Sequence, residues 1–190
     1  MGPSQDPSHF KELSNQLREA LHQSEKLNSL GALVALELAR SHPTAIDRLV
    51  LSAGFVSIPE EHQAAAQVSA QAIKGLDAQA FTEQVLNGLV RDVPEPYREQ
   101  ALEEIGGLTP GDVANILVLD FDARGWIGDL TMPALVLCGE EDEVNLPLSR
   151  ELADRLPNAI FEVLPGAGHV ANLDAPAAFT NAVRRFLTHE

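Results

Sequence analysis

The stretch MPALVLCGEED, residues 132–142, joins a continuous apolar run to an acidic turn. An apolar run that does not alternate with polar residues is typical of a strand covered on both faces, as in a parallel sheet. The same pattern occurs in RLVLSAG, residues 48–54, and more weakly in AIFEVL, residues 159–164. Helical patterns at about 147–156 and 175–187 separate or follow these strands. This alternation predicts an α/β fold with a short, mainly parallel sheet of about three strands and flanking helices.

Two helical stretches precede the first predicted strand. Residues 7–25 carry an apolar stripe at helical spacing, which predicts an amphipathic helix. The stretch SLGALVALELA, residues 29–39, is apolar nearly all round and predicts a buried helix. That helix should end before Pro43, because the residue preceding a proline avoids the helical conformation.

The middle of the chain has a different pattern, with helical segments and no convincing strand. The segments cover about residues 60–74, 78–91, 95–105 and 110–120. We interpret this region as a helical insert over the sheet. The predicted organisation is therefore an N-terminal part with the first strand (1–54), a helical insert (55–130) and a C-terminal core with the acidic and histidine loops (131–190).

Composition narrows the range of possible functions. The 190 residues fit one domain, and the formal net charge of −15 argues against nucleic acid or an anionic membrane surface as a partner. The single cysteine, Cys138, excludes a disulfide framework and a four-cysteine zinc site. No apolar run reaches the roughly 18 residues of a membrane span, and no signal peptide is recognised. We expect a soluble, cytoplasmic protein.

Three residues lie in contexts that suit chemistry. Ser29 opens the buried helix, where backbone N–H groups suit a developing oxyanion, although taken alone a helix cap explains it more simply. Asp142 follows the carboxyl end of a predicted parallel strand, where α/β folds place their sites. His169 ends the glycine-rich turn PGAGH. Taken singly, a solvated acidic turn and a structural histidine explain the last two, but their order is that of an α/β-hydrolase triad.

The chain resembles the C-terminal half of an α/β-hydrolase from Asn28 to about Leu187. The resemblance rests on SLGALVALELA (29–39), the strand Leu49–Ser52, LVLCGEED (135–142) and LPGAGH (164–169). The chain looks most like the esterase, lactonase and carbon–carbon hydrolase branch that carries a helical lid. The resemblance implies that residues 55–130 form this lid.

The resemblance also implies a serine hydrolase acting on a small ester, lactone or related acyl substrate. Ser29 would attack the acyl carbon, His169 would take the proton and later return it, and Asp142 would hold the imidazole. The backbone N–H of Leu30 would bind the oxyanion. The substrate pocket would include Phe55, Phe81, Trp126 and Val170. No metal or cofactor is expected, because a solvated loop explains the acidic run at 140–143 better than a cation site does.

Several features depart from the family's pattern. Leu27 stands where the G-x-S-x-G elbow has its first glycine, and polar residues 22–26 stand where the family has a strand. The family's earlier strands are missing, so the strand Leu49–Ser52 would be an open edge. The helix at 7–25 or a second copy of the chain would cover it, which predicts an oligomer or a rearranged packing. The alternative function is a weak or inactive, truncated or re-engineered hydrolase remnant acting as a self-associating or interaction module.

Overall fold

A computed structural model describes residues 28–87, residue 95 and residues 97–188. The helix predicted at 7–25 lies outside the described residues, and so does Leu27. In the described part of the chain, no helix is long and apolar enough to cross a membrane.

Three parallel strands form one sheet in the order β1-β2-β3. They are β1 (Leu49–Ser52), β2 (Ala134–Gly139) and β3 (Ala159–Leu164). Val136 in the central strand pairs with Leu51 on one side and with Phe161 on the other. Every residue of β2 is buried, as the continuous apolar run predicts. The α/β fold and the short parallel sheet confirm the sequence prediction.

Helices flank the sheet and connect its strands. They are α1 (Asn28–Ser41), α2 (Glu60–Lys74), α3 (Ala78–Phe81), α4 (Tyr97–Ile105), α5 (Pro110–Leu117), α6 (Asn145–Arg155), α7 (Ala171–Asp174) and α8 (Pro176–Thr188). A π-helical turn, Thr82–Leu86, continues α3. Helix α1 ends before Pro43, and α5 begins with a capping box in which Thr109 and Asp112 bond each other's backbone N–H groups. The proline thus fixes the end of α1 and the capping box fixes the start of α5, close to the positions predicted from the sequence.

The two faces of β2 contribute to two separate apolar cores. Val136 belongs to the core that contains Leu36 of α1. Leu135 and Leu137 belong to the core on the opposite face, with Phe186 of α8. Successive side chains of a strand point to opposite faces. One unbroken apolar run in the sequence therefore supplies both cores.

The helices α2 to α5 form a segment whose two ends lie side by side. Ser57 and Asp122 form an antiparallel bridge, and the N–H of Ala123 donates to the carbonyl of Val56 at 2.8 Å. The segment has its own buried cluster, which comprises Phe81, Leu86 and Val113. The described residues between 60 and 120 contain no strand, in agreement with the sequence. The proposed boundaries at residues 54 and 130 stay a prediction.

Strand β1 pairs with β2 and, within the described ranges, with no strand on its other side. It leads into Ala53, a non-glycine residue with a φ of 50° whose N–H donates to the carbonyl of Leu137 at 2.8 Å. A left-handed conformation costs an alanine roughly 1–2 kcal/mol. The contacts of Ala53, which include this hydrogen bond, must therefore stabilise the bend at the end of β1. How the outer edge of β1 is covered, by residues 7–25 or by a second copy, stays a prediction.

Candidate active site

Asp142 lies in the turn that follows β2, at the carboxyl edge of the sheet. The residue is only 7% exposed. Its carbonyl accepts the N–H of Leu146 at 2.9 Å, and its Oδ1 accepts the N–H of Asn145 at 3.1 Å. The carboxylate therefore lies at the N-terminus of α6, where the helix dipole favours a negative charge.

His169 ends the loop that follows β3, and two carboxylates hold that loop from either side. Gly166 has a φ of 66°, which glycine adopts without strain. The N–H of Gly166 donates to Glu140 Oε2 at 3.1 Å. The N–H of Gly168 donates to Asp174 Oδ2 at 2.8 Å. Both bonds have a charged acceptor, so they are stronger than neutral backbone contacts.

The turn with Asp142 and the loop with His169 touch because β2 and β3 are adjacent and parallel. The N–H of Glu141 donates to the carbonyl of Ala167 at 2.9 Å. A Cβ at Gly139 would overlap the carbonyl oxygens of Ala167 and Gly168. Glycine at position 139 thus permits a backbone-to-backbone approach that no other residue allows.

The carboxylate and the imidazole form a direct pair. Asp142 Oδ2 and His169 Nδ1 lie 2.7 Å apart, although the two residues are separated by 27 positions in the sequence. The side chain of Asp142 is 6% exposed and that of His169 is 45% exposed. A carboxylate that accepts from Nδ1–H favours the tautomer whose lone pair is on Nε2. That tautomer is the one a general base requires.

Asn145 belongs to the same network, although sequence reasoning missed it. Its Nδ2 lies 3.0 Å from each carboxylate oxygen of Asp142 and 3.2 Å from Nδ1 of His169. The available signal was an amide side chain three residues after the acid, at the start of a helix. Polar residues of this kind are common at helix starts, so the spacing alone did not single it out.

These contacts keep Asp142 ionised. Burial raises the pKa of the carboxyl, but hydrogen bonds from the side chains of His169 and Asn145, and from the backbone of Asn145, lower it by more. The resulting pKa is below the ordinary value of 3.8. A carboxylate that remains charged at neutral pH can stabilise an imidazolium.

Cys138 lies close to the pair but is unsuited to act as a nucleophile. The residue is buried, and its Sγ is 4.0 Å from Asp142 Oδ2. Burial raises the pKa of the thiol, and the carboxylate of Asp142 adds to the effect. Because only the thiolate is strongly nucleophilic, the thiol is inert at neutral pH.

A cavity of about 220 Å³ is lined in part by Asn145, the residue that contacts both Asp142 and His169. Nine of its eleven lining residues are apolar, and the two polar ones are His62 and Asn145. The apolar lining residues are Leu33, Phe55, Ile58, Pro59, Ile116, Leu117, Leu119, Val144 and Leu148. Because Asn145 contacts both carboxylate oxygens and also lines the cavity, this side chain connects the cavity wall to the acid and the imidazole.

The residues predicted to line a pocket fall in different places. Phe55 lines the cavity. Phe81 is 3% exposed and packs inside the helical segment. Trp126 packs against the main core, with its ring edge-on to Phe121 at 6.1 Å. Val170 is half-buried directly after His169 and outside the lining of the cavity. Large aromatic side chains serve a core as well as a pocket, so the sequence pattern could not separate the two.

Ser29 and Leu30 lie in the first turn of α1, and their side chains are outside the part of the structure that is described. Leu33, one helical turn further along, lines the cavity. The predicted roles of the Ser29 hydroxyl and the Leu30 N–H therefore stay predictions.

Two of the acids in the run at 140–143 have structural partners. Glu140 accepts the N–H of Gly166, and Asp142 accepts from His169 and Asn145. Across the described ranges, no three His, Cys, Asp or Glu side chains gather as they would around a metal ion.

Comparison with known proteins identifies relatives among hydrolases. The profile of the alpha/beta hydrolase family matches residues 28–182. The putative carbamate hydrolase RutD of Caulobacter sp. (strain K31) is 30% identical over 182 residues, which cover 86% of this chain and 64% of that protein. The 3-oxoadipate enol-lactonase 2 of Acinetobacter baylyi is 27% identical over 160 residues, covering 82% and 60%. The chain thus spans less than two thirds of the length of these relatives.

Solved structures share the architecture. A hydrolase from Pseudomonas aeruginosa PA01 superposes with a TM-score of 0.73 at 24% identity, covering 94% of this chain and 70% of that one. The enol-lactonase from Burkholderia xenovorans LB400 superposes with a TM-score of 0.66 at 26% identity, covering 85% and 64%. The fold and the match over residues 28–182 together show that the chain belongs to the alpha/beta hydrolase family.

Proposed function

We propose that this chain provides the catalytic centre of a serine hydrolase that cleaves small esters or lactones with Ser29, His169 and Asp142. The observation that carries the proposal is the 2.7 Å pair between His169 Nδ1 and the buried Asp142 carboxylate. Asn145, which contacts both members of the pair, also lines a mainly apolar cavity. The order Ser, Asp, His along the chain is the one that this family uses for its triad.

In the proposed reaction Ser29 supplies the nucleophile. His169 Nε2 takes the hydroxyl proton as Oγ bonds to the acyl carbon, and the Leu30 N–H donates to the oxyanion that forms. Asp142 stabilises the imidazolium. The bond to the leaving alkoxide then breaks, the alkoxide takes the proton from His169, and an acyl-serine remains. Water that gives its proton to His169 attacks this acyl group, and the carboxylic acid leaves as Ser29 regains its proton.

The apolar lining of the cavity supports the proposal that the part of the substrate bound there is an apolar acyl group. Nine of the eleven lining residues are apolar, and the volume of about 220 Å³ is below the 300–1,000 Å³ typical of drug-sized ligands. The named activities of the relatives include an enol-lactonase, a carbamate hydrolase and a methyl ester esterase. All three names describe attack on an acyl carbon, which is the chemistry proposed here.

The remaining expectations belong to the same proposal. Residues 55–130 form the lid, which is supported by His62 of α2 and Ile116 of α5 in the cavity wall. The partner is a small molecule in the cytoplasm, and the formal charge of −15 disfavours anionic surfaces. The outer edge of β1 is covered by the helix predicted at 7–25 or, in a homo-oligomer, by a second copy of the chain. Light scattering after size exclusion that shows only monomer at high concentration would count against this last point.

A fluorophosphonate probe tests the proposal directly, because it reacts with activated serines. We expect the folded protein to be labelled and the Ser29→Ala variant to remain unlabelled. Ser69→Ala is the matched control, since Ser69 is an exposed serine on α2. Both variants should keep the far-ultraviolet circular dichroism spectrum of the unchanged protein.

Two results would overturn the proposal in different ways. Labelling of Ser29→Ala at the rate of the unchanged protein would remove Ser29 as the nucleophile. Folded protein that neither reacts with the probe nor hydrolyses p-nitrophenyl acetate or a simple lactone would refute a hydrolase activity of this chain. The interaction module would then be the better hypothesis.

A further inference from the structure

We propose that Asn145 is a positioning residue for the Asp142–His169 pair, and that its side-chain amide holds the carboxylate in the orientation that receives the imidazole N–H. The inference rests on the proposed function, because this orientation matters to a rate only if His169 acts as a base. The contacts that support it are present whatever the chain catalyses.

Asn145 contributes two donor groups to the carboxylate. The side-chain Nδ2 is 3.0 Å from Oδ1 and 3.0 Å from Oδ2, and the backbone N–H is 3.1 Å from Oδ1. Oδ2 also accepts from His169 Nδ1 at 2.7 Å. Oδ1 thus accepts from two donors, and Oδ2 accepts from two nitrogen donors and from the weak Cys138 thiol donor at 4.0 Å, which leaves the carboxyl plane little freedom to rotate. With 6% of the Asp142 side chain exposed, water is poorly placed to replace a lost donor.

The orientation of the amide follows from its neighbours. A reversed amide would place its own oxygen against both carboxylate oxygens, and three acceptors would then face one another. The NH₂ group must therefore face Asp142. Nδ1 of His169 is closer to the carboxylate, at 2.7 Å, than to Nδ2 of Asn145, at 3.2 Å. The imidazole N–H accordingly donates to the carboxylate, and the amide stands beside it as a second donor.

The side chain of Asn145 is not required to start α6. The backbone N–H of residue 145 donates to Asp142 Oδ1 whatever side chain the residue carries, and the N–H of Leu146 donates to the Asp142 carbonyl. Removing the amide should therefore leave the helix in place. Its effect should be confined to the carboxylate, the imidazole and the cavity wall.

Asn145 also lines the cavity, so replacing it affects the cavity wall as well as the orientation of Asp142. The test has to separate these two effects. A residue that only shapes the wall would change KM when it is replaced. A residue that aligns the acid and the base would change kcat and would also change the titration of the carboxyl. Leucine has the same number of side-chain heavy atoms and the same branching at Cγ as asparagine, so Asn145→Leu keeps the branching and removes the donors, although its methyl groups are bulkier.

The experiment compares Asn145→Leu with the same change at Asn158, whose exposed amide donates to the carbonyl of Thr131 at 2.7 Å. We expect Asn145→Leu to lower kcat for p-nitrophenyl acetate by about 10- to 100-fold, the effect of losing a hydrogen bond to a charged group. KM should stay within about threefold of the value for the unchanged protein, because alignment of the acid and the base affects the transition state and not the binding of substrate. Asn158→Leu should leave both constants unchanged.

A titration of the Asp142 carboxyl by carbon-13 NMR supplies a readout that does not need turnover. The pKa of this carboxyl should rise in Asn145→Leu and stay unchanged in Asn158→Leu. If the pKa shifts in Asn145→Leu but the unchanged protein shows no hydrolase activity, the proposed function is refuted, whereas the contact that orients the carboxylate is supported. An unshifted pKa, or a change in KM with kcat unaltered, would overturn the positioning role.

Discussion

Replacing Gly139 by alanine tests whether the close contact between two loops aligns the candidate site. A Cβ at residue 139 would lie 2.6 Å from the carbonyl carbon of Ala167, whereas ordinary contacts begin at 3.4 Å. The carbonyl oxygens of Ala167 and Gly168 would be nearer still, so the loop that carries His169 must retreat by more than about 0.8 Å. The obstacle is backbone, so no flexible side chain can absorb the change by moving aside.

The retreat should affect both stability and catalysis. Overpacking of this kind costs about 1–3 kcal/mol, and each kcal/mol lowers the melting temperature of a protein of this size by roughly 2–4 °C. If the loop carries His169 directly away, the 2.7 Å bond to Asp142 stretches to about 3.5 Å or more. That distance is beyond a useful hydrogen bond. A misplacement of about 1 Å in an active site can cost about 100-fold in rate.

The assay combines thermal unfolding followed by circular dichroism with the rate of fluorophosphonate labelling. Gly128→Ala is the matched control, because a Cβ there would meet nothing within 4 Å. We expect the control to match the unchanged protein in both measurements. If Gly139→Ala melts at the temperature of the control and labels at the same rate, the contact does not align the site and the reasoning is wrong.

Three further predictions concern buried groups. Ser149→Ala should lower the free energy of unfolding in urea by about 1–3 kcal/mol, because the hydroxyl donates to the buried carbonyl of Gly54 at 2.8 Å; a change below about 0.5 kcal/mol would contradict this. Cys138 should react with a thiol reagent only after denaturation, since burial raises its pKa; rapid reaction of the folded protein would argue against the packing of β2. Asp142→Asn should lower kcat by about 10⁴-fold. The same substitution should make the free energy of unfolding less dependent on pH in acid. The lowered pKa of Asp142 stabilises the fold above pH 3.8, and this contribution is lost as the pH falls through the folded-state pKa. If the free energy of unfolding in urea changes with pH equally in both proteins between pH 2 and 5, this prediction is wrong.

The sheet could be predicted because its central strand has a distinctive sequence. The run Ala134–Gly139 is apolar at every position, and a strand with that pattern needs cover on both faces. The structure supplies that cover with Leu36 on one side and Phe186 on the other. The end of α1 before Pro43 was predictable from the proline, and the start of α5 at Pro110 agrees with the helical segment predicted from about residue 110. These are local signals, so one sequence is enough to find them.

The site was only partly predictable. Asp142 and His169 each follow a parallel strand, and adjacency of those strands is enough to bring the two residues together. Asn145 was missed because its contacts depend on the orientation of a turn, which spacing does not reveal. Phe81 was predicted to line the pocket; the structure packs it in the buried cluster of the helical segment, and its role in the pocket stays a prediction. An aromatic residue in a helical segment satisfies either environment, and only the packing of the whole segment decides between them.

The acidic composition has a local consequence that the net charge conceals. A charge of −15 is expected to lie mostly on a solvated surface. At this site, however, three carboxylates accept N–H groups of the loop and side chain that present the imidazole: Glu140 from Gly166, Asp174 from Gly168 and Asp142 from His169. Neutral acceptors would make weaker bonds to the same donors. The three carboxylates therefore anchor the loop and hold the imidazole close to the end of β2, although 45% of the His169 side chain remains exposed.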